Sequence, residues 1–238
     1  MPEPLLVGGI VLCGGRSLRM GRSKAWLPFG HEPSLSRVVR IVRSVVSPVV
    51  VVAGPIQNVP SLPEDVRLLR DEEEYLGPLA GLGLGLMSLQ HEVGAAFVAA
   101  CDVPLLLPEF IQLLIDRLED HDAAVVFDGR HYYGVVAVYR TRLAGLVRRL
   151  VASRQLRLRS LFDRCDVRSV ELEEVRAVDP DLRSLRNINA IDEYREALQV
   201  AGLPPGREPA DSPRGTALSP RDWNQRSIED DDTRPSSK

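Results

Sequence analysis

Short apolar runs alternate with amphipathic stretches along most of the chain. The apolar runs have the length and the β-branched content of buried strands. We predict strands at residues 5–13, 49–53, 66–69, 95–100, 123–127, 135–139 and 167–172. Between them apolar residues recur with helical spacing, and we predict helices at residues 34–46, 78–90, 108–118, 141–151 and 190–200. This alternation predicts an α/β fold, an open and mostly parallel three-layer sheet with helices on both faces.

Local features of the pattern add detail to this prediction. Ser34 precedes the first apolar position of a helix and is predicted to be its N-cap. The runs at 49–53 and 66–69 do not alternate with polar residues, which favours strands in the interior of a parallel sheet. Four glycines fall in or beside the helix at 78–90, namely Gly77, Gly81, Gly83 and Gly85. Glycine weakens a helix, so we expect these positions to allow close packing.

Composition restricts the class of protein. The chain has 238 residues, 44% hydrophobic and 26% charged, and a net charge of −3, which is typical of a globular protein and excludes fibrous and membrane-spanning classes. The charge gives no reason to expect nucleic acid or a membrane as a partner. The N-terminal residues of the chain have no secretory signal pattern, so we expect a cytoplasmic protein. Cys13, Cys101 and Cys165 are predicted to be reduced thiols in a core.

The composition changes near residue 202. Beyond this point the chain is rich in Pro, Ser, Arg and Asp and has few apolar residues. Such a segment cannot bury enough apolar surface to offset the loss of chain entropy on folding. We therefore predict one domain at residues 1–201 and a disordered C-terminal tail at 202–238.

A glycine-rich segment at residues 14–24 follows the first predicted strand and ends at Lys24. Backbone N–H groups of such a loop can bind phosphate oxygens, and a lysine adds a positive charge. The alternative is a tight turn with a solvated lysine. The segment lacks both GxxxxGK[ST] and GxGxxG, so it supports neither a P-loop NTPase nor a dehydrogenase. Lys24 and Lys238 are the only lysines among 30 basic residues.

Two aspartates follow predicted strands, Asp71 after 66–69 and Asp102 after 95–100. In an open α/β sheet, ligands bind beyond the carboxyl ends of the strands. A carboxylate there suits Mg²⁺, which takes one or two carboxylates and completes its shell with phosphates. The structural alternatives are a turn-capping role for Asp102 and a solvated acidic loop for Asp71.

These segments resemble one family in order and spacing. The matching residues are 12–25, 27–30, 70–71, 77–82, 101–104 and 187–189. They resemble the molybdenum cofactor guanylyltransferases, MobA-like nucleotidyltransferases with a Rossmann-like fold of the GT-A type. The resemblance covers roughly residues 7 to 200. The first segment is specific to the superfamily, and the combination narrows the resemblance to this family.

The resemblance implies transfer of GMP from GTP to the phosphate of molybdopterin, with release of pyrophosphate and a requirement for Mg²⁺. GTP and molybdopterin would be the substrates, and proteins that deliver or receive the cofactor would be further partners. The implied catalytic residues are Lys24, Asp102 and Arg19. The implied nucleotide-binding residues are Leu12, Cys13, Gly14, Gly15, Lys24, Asp71 and Asp102. The implied metal ligands are Asp102 and Asn189, with Asn187 as the alternative to Asn189.

Other functions remain open at this point. Cytidylyltransferases acting on the same pterin tend to have alanine where Gly14 stands, so this glycine favours GTP. Cys13 replaces the family's usual alanine, and Ala53 and Gly54 stand where family members can offer an asparagine to the nucleotide. The alternatives are a CTP-dependent molybdopterin cytidylyltransferase, another nucleotidyltransferase acting on a small phosphorylated molecule, and a non-catalytic nucleotide-binding module.

Overall fold

The apolar runs form strands and the amphipathic stretches form helices between them. The computed structural model describes residues 5–14, 23–71 and 76–204. The strands are β1 (Val7–Cys13), β2 (Pro28–Phe29), β3 (Glu32–Pro33), β4 (Val49–Ala53), β5 (Val66–Arg70), β6 (Ala95–Ala100), β7 (Ala123–Phe127), β8 (Tyr132–Arg140) and β9 (Val167–Glu171). The helices are α1 (Ser34–Arg43), α2 (Pro78–Leu89), α3 (Pro108–Leu118), α4 (Ala144–Ala152), α5 (Leu158–Phe162), α6 (Leu172–Arg176) and α7 (Ile191–Val200). Single 3-10 turns lie at Lys24–Trp26, Thr141–Leu143 and Arg183–Leu185.

Seven of these strands form one sheet in the order β5-β4-β1-β6-β8-β7-β9. Neighbouring strands are parallel except at β8, which runs antiparallel to both β6 and β7. Strands β2 and β3 form a separate hairpin. The prediction of an open, mostly parallel α/β sheet is confirmed.

Helices cover both faces of the sheet and create two hydrophobic cores. Side chains of α1, α3 and α6 pack with Val11, Val51 and Phe97 on one face. Those of α2, α4 and α5 pack with Ile10 and Val98 on the other. Successive residues of a strand point to opposite faces, so continuous apolar strands supply both cores. The predicted three layers are present.

Glycines of helix α2 let neighbouring side chains approach its backbone. A Cβ at Gly85 would stand 2.7 Å from Ile10 Cδ1 in β1, and one at Gly83 would stand 2.8 Å from Val147 Cγ1 in α4. Real Cβ atoms do not approach other atoms so closely. The prediction of close packing is confirmed for Gly83 and Gly85 but not for Gly77, which has a φ of 79° and whose nearest described atom would lie 3.9 Å from an added Cβ.

Several local predictions were wrong. β5 is an edge strand rather than an interior one, since among the described strands it pairs with β4 alone and Leu68 is 38% exposed. Two arginines in this strand face solvent, which an interior position would not permit. Pro33, not Ser34, is the N-cap of α1. Cys165 is half-buried rather than fully in a core, and burial raises its pKa to about 11.

A third, smaller apolar cluster packs helix α7 against the segment that follows Lys24. Helix α7 packs on the β2–β3 hairpin through Leu27, Phe29 and Tyr194. The Tyr194 hydroxyl donates a hydrogen bond to the Pro28 carbonyl oxygen at 2.5 Å. This contact fixes the start of α7 beside the segment that follows Lys24.

The predicted tail at 202–238 falls almost wholly outside the described residues, which end at residue 204. Leu203 is described and lies against the third cluster. Within the described part of the chain, no helix has both the length and the apolar composition needed to cross a membrane.

Candidate active site

Four parallel strands bring the predicted site residues to one edge of the sheet. β5, β4, β1 and β6 are consecutive and mutually parallel, so their carboxyl ends share that edge. Cys13 ends β1 and Gly14 follows it, whereas Asp71 follows β5 and Asp102 lies two residues after β6. The expectation that these residues gather beyond the carboxyl ends is confirmed.

Lys24, Asp102 and Asn189 are in direct contact. The Lys24 ammonium donates hydrogen bonds to Asp102 Oδ2 at 2.7 Å and to Asn189 Oδ1 at 2.5 Å. The side chains of Lys24 and Asp102 are only 21% and 14% exposed. Three distant parts of the chain therefore converge on one partly buried cluster, which we call the Lys24 cluster.

The backbone around Asp102 is held from several directions. The Cys101 N–H donates to the Leu12 carbonyl at 2.9 Å, which extends the pairing of β1 with β6. The Asp102 carbonyl accepts a hydrogen bond from the Ile188 N–H at 2.9 Å. Ser34, at the start of α1, donates its hydroxyl hydrogen to the Cys101 carbonyl at 2.8 Å. Ser34 thus anchors α1 to the strand end that carries Asp102.

Asn189 is positioned by the start of α7. Glu193 Oε2 accepts hydrogen bonds from the N–H groups of Asn189 at 2.6 Å and Ala190 at 3.0 Å. Ile188 is buried and Asn187 is exposed. Of the two asparagines left open by the sequence, Asn189 is the one whose side chain contacts Lys24, the residue that also contacts Asp102.

Gln57 connects the two ends of the glycine-rich segment. Its Nε2 donates to Cys13 Sγ at 3.3 Å and to Ser23 Oγ at 3.4 Å, and its Oε1 accepts from the Gly54 N–H at 3.2 Å. Sequence reasoning missed this residue. Ala53 and Gly54 stand where family members can offer an asparagine to the nucleotide. This missing side-chain amide was the only signal in the sequence for an amide elsewhere in the loop.

The nucleotide-binding residues implied by the resemblance are distributed around this edge. Leu12 is half-buried beneath α2, where a Cβ at Gly81 would lie 3.1 Å from its Cδ2. A Cβ added to Gly14 would meet no atom of the described residues within 4 Å. Gly15 and Arg19 lie outside the described residues.

Asp71 stands apart from the Lys24 cluster. Its N–H donates to the Ala53 carbonyl at 2.9 Å, and partial burial raises the pKa of its carboxyl group. β4 and β1 separate its strand from β6, and three strand spacings amount to about 14 Å. Asp71 therefore follows a strand on a different part of this edge from the strand that carries Asp102.

The Cys101 thiol, beside the Lys24 cluster, is a poor nucleophile. Cys13 and Cys101 are buried at the ends of neighbouring strands. A hydrogen bond with Cys13 and burial raise the pKa of the Cys101 thiol well above its ordinary value. Because the thiolate is the reactive form, this thiol remains protonated and unreactive at neutral pH.

The donor set of the Lys24 cluster fits a hard divalent cation. Asp102 and Asn189 present a carboxylate and an amide oxygen to one point, where a positively charged atom already sits. Mg²⁺ and Mn²⁺ prefer such oxygen donors and accept further oxygens from phosphates and water. Among the described residues, no group of three or more His, Cys, Asp or Glu side chains could hold a metal. A metal here would thus need oxygens from a ligand.

Solved structures share this fold. The crystal structure of molybdopterin-guanine dinucleotide biosynthesis protein A from Archaeoglobus fulgidus has a TM-score of 0.67 and 21% identity, covering 82% of this chain and 98% of that one. A Mycobacterium tuberculosis H37Rv protein crystallised as a complex with manganese has a TM-score of 0.60 and 16% identity, covering 82% and 98%. At these identities the likeness concerns the fold alone.

Sequence relatives are more specific. A Mycobacterium tuberculosis (strain ATCC 25618 / H37Rv) protein named probable molybdenum cofactor guanylyltransferase is 39% identical over 211 residues, 87% of this chain and 98% of that protein. A Mycobacterium avium (strain 104) protein of the same name is 38% identical over 206 residues, 84% and 99% of the two chains. The sequence model of the MobA-like NTP transferase domain matches residues 9–170. The chain belongs to the MobA-like NTP transferase family, as its motifs predict.

Proposed function

We propose that this protein is a molybdenum cofactor guanylyltransferase, which transfers GMP from GTP to the phosphate of molybdopterin and releases pyrophosphate. Relatives of that name match nearly their whole length at 38% and 39% identity. The observation that carries the proposal is the contact of Lys24 with Asp102 and Asn189 at the carboxyl edge of the sheet.

The nucleotide would bind across this edge. Backbone N–H groups around Gly14 and Gly15 and the ammonium of Lys24 would bind the triphosphate, with Arg19 as a further phosphate contact. Leu12 and Cys13 would lie beneath the nucleotide at the end of β1. Asp71, about 14 Å from β6, would contact the nucleoside end rather than the phosphates.

Asp102 and Asn189 would hold Mg²⁺ or Mn²⁺ through their side-chain oxygens. When bound, the divalent ion offsets the negative charge that develops on the departing pyrophosphate. The protein's own contribution is positional: the end of β6 places Asp102 and the start of α7 places Asn189, so that both side-chain oxygens face the same point.

The reaction needs no covalent enzyme intermediate. An oxygen of the acceptor phosphate is already anionic, and it forms a bond to the α-phosphorus of GTP while the bond to the β-phosphate oxygen breaks. No proton must be removed from this nucleophile, so the reaction requires no thiol of the protein. Positioning and charge neutralisation by Lys24 supply the catalysis.

The described cysteines, Cys13, Cys101 and Cys165, are all unpaired thiols. Free thiols are typical of a reducing compartment, and we propose that the reaction occurs in the cytoplasm.

The test is pyrophosphate release from each of the four nucleoside triphosphates, with Mg²⁺ and with or without molybdopterin. We expect release from GTP that depends on the pterin. Pterin-dependent release from CTP instead would identify a cytidylyltransferase. Release from none of the four, by protein that still binds GTP, would identify a non-catalytic nucleotide-binding module.

A further inference from the structure

The Lys24 ammonium occupies the oxygens that the proposed function assigns to a divalent ion. Its distances of 2.7 Å to Asp102 Oδ2 and 2.5 Å to Asn189 Oδ1 are those of short, charge-assisted hydrogen bonds. Both oxygens belong to side chains that the fold holds in place, through the backbone bond of Asp102 to Ile188 and the bonds of Glu193 to the start of α7. The ammonium is carried by a long side chain with several rotatable bonds, so among the three polar groups it has the most rotamers available.

An ammonium and a divalent ion cannot share these two oxygens. A metal ligand distance is about 2.1 Å for Mg²⁺, so the two cations would stand only a few ångströms apart in a partly buried site. Repulsion between charges at such a separation is strong where water is largely excluded. The divalent ion can therefore take Asp102 and Asn189 only after the Lys24 ammonium has left them.

The backbone of Lys24 is held by contacts that do not involve its ammonium. Its 3-10 turn is held by the hydrogen bond from the Leu27 N–H to the Lys24 carbonyl at 3.2 Å and by the bond from Trp26 Nε1 to the Asn58 carbonyl at 3.1 Å. The flexible side chain projects from this fixed turn, directly after the glycine-rich segment. Triphosphate oxygens bound by that segment would offer the ammonium new partners of opposite charge.

We propose that Lys24 is a competing internal cation: it holds Asp102 and Asn189 in the nucleotide-free protein, and the triphosphate draws it away so that the divalent ion can bind. The nucleotide part of this inference rests on the proposed function. Metal and nucleotide then bind cooperatively, because each favours the state in which Lys24 has left the two oxygens. Divalent ions alone bind weakly.

The test is direct titration of Mn²⁺, followed by the electron paramagnetic resonance signal of the free ion, without nucleotide. The proteins are the full-length chain and its variants, Lys24→Met and Lys24→Gln, after removal of metals and with folding checked by circular dichroism. We expect both variants to bind Mn²⁺ at least about tenfold more tightly than wild type. This gain follows if the Lys24 ammonium occupies the two oxygens in about nine-tenths of the wild-type molecules. Adding Asp102→Asn to Lys24→Met should abolish the gain.

Arg37→Met is the matched control for a general charge effect. The Arg37 guanidinium donates to the Pro104 carbonyl at 2.7 Å, two residues beyond Asp102, and removing it deletes the same charge without uncovering either oxygen. We expect Arg37→Met to bind Mn²⁺ as wild type does. An equal gain in Arg37→Met, or no gain in either Lys24 variant, including no measurable binding by any protein, would overturn the proposal.

A second titration separates this inference from the proposed function. A GTP analogue that cannot be cleaved at the α,β-bridge should tighten Mn²⁺ binding by wild type more than by Lys24→Met. An equal effect on both proteins would contradict the competition. None of these measurements requires turnover. A protein that fails to transfer GMP would refute the guanylyltransferase proposal, and the Mn²⁺ titrations would still test whether Lys24 competes with the metal.

Discussion

Lys24 is the one lysine among the first 237 residues, although the chain has 30 basic residues in total. Its ammonium fits between two oxygens that the fold fixes at hydrogen-bonding distance. A guanidinium is planar and longer, and it cannot take the place of a compact ammonium at this point. The position of residue 24 therefore requires a lysine and would not accept an arginine.

We expect Lys24→Arg to lose about a hundredfold in kcat, equivalent to about 3 kcal/mol, because a misplaced cation no longer meets the charge developing on the phosphates. The partial exposure of the side chain means that the fold should survive. The measurements are GTP turnover and the melting temperature. Turnover by Lys24→Arg close to that of wild type would contradict a site built around an ammonium.

Gly14 is the residue on which nucleotide choice depends in this account. Within the described part of the chain no atom lies within 4 Å of the place where its Cβ would stand, so Gly14→Ala should fold normally. The added methyl group would enter the region proposed for the nucleotide and disfavour the larger purine base. We expect the ratio of kcat/KM for GTP over CTP to fall about tenfold, since one methyl group is worth about 1–3 kcal/mol of discrimination. An unchanged ratio would show that Gly14 does not contribute to a preference for GTP over CTP.

At the scale of elements, α7 connects the third apolar cluster to the Lys24 cluster. Glu193 accepts hydrogen bonds from two N–H groups at the start of this helix and thereby orients Asn189. Glu193→Ala should cost about 1 kcal/mol of stability, as loss of an N-terminal cap does, and should also raise the metal concentration needed for half-maximal activity. Glu193→Gln keeps an acceptor oxygen and should restore most of both properties.

Glu196→Ala is the control for this prediction. Glu196 lies on the same helix and pairs with Arg186 at 2.8 Å, but 63% of its side chain is exposed. Exposed pairs contribute little, so this variant should resemble wild type in stability and metal requirement. A metal requirement unaltered in Glu193→Ala would show that the start of α7 does not position Asn189.

The sequence predicts elements well where the pattern of apolar residues is strong. It fails where the outcome depends on neighbours in space. Arg67 and Arg70 in β5 are compatible with an apolar run only because this strand lies at the edge of the sheet. Ser34 has the local signature of a cap, yet its hydroxyl bonds the Cys101 carbonyl because α1 packs against the end of β6.

The same distinction applies to the site. The motifs identify Lys24, Asp102 and Asn189, which the structure brings into contact, and they leave Asn187 open because both asparagines flank the same buried Ile188. Gln57 could not be found in this way. Its amide reaches Cys13 and Ser23 only because the loop after β4 folds back over the end of β1, and no sequence pattern encodes that approach.

At the scale of the whole molecule, the boundary of the domain is a prediction that truncation can test. Deleting residues 205–238 should change neither turnover nor the melting temperature by more than about 2 °C, since that segment has few apolar residues to bury. Deleting from Leu203 onward should lower the melting temperature by several more degrees, because Leu203 packs on the third cluster and its N–H bonds the Leu198 carbonyl at 2.9 Å. A large loss from the shorter deletion would show that the tail docks on the domain.

Transfer of GMP from GTP to molybdopterin at the Lys24 cluster can be followed directly. The measurement traces radiolabel from GTP labelled at the α-phosphorus into the pterin product, for wild type and for Asp102→Asn. We expect wild type to transfer the α-label, whereas a γ-label leaves with pyrophosphate. We expect Asp102→Asn to keep the fold and lose transfer, since an amide retains the shape but not the charge that a divalent ion requires. Label that stays out of the pterin in wild type, or full transfer by Asp102→Asn, would contradict the proposed reaction at this site.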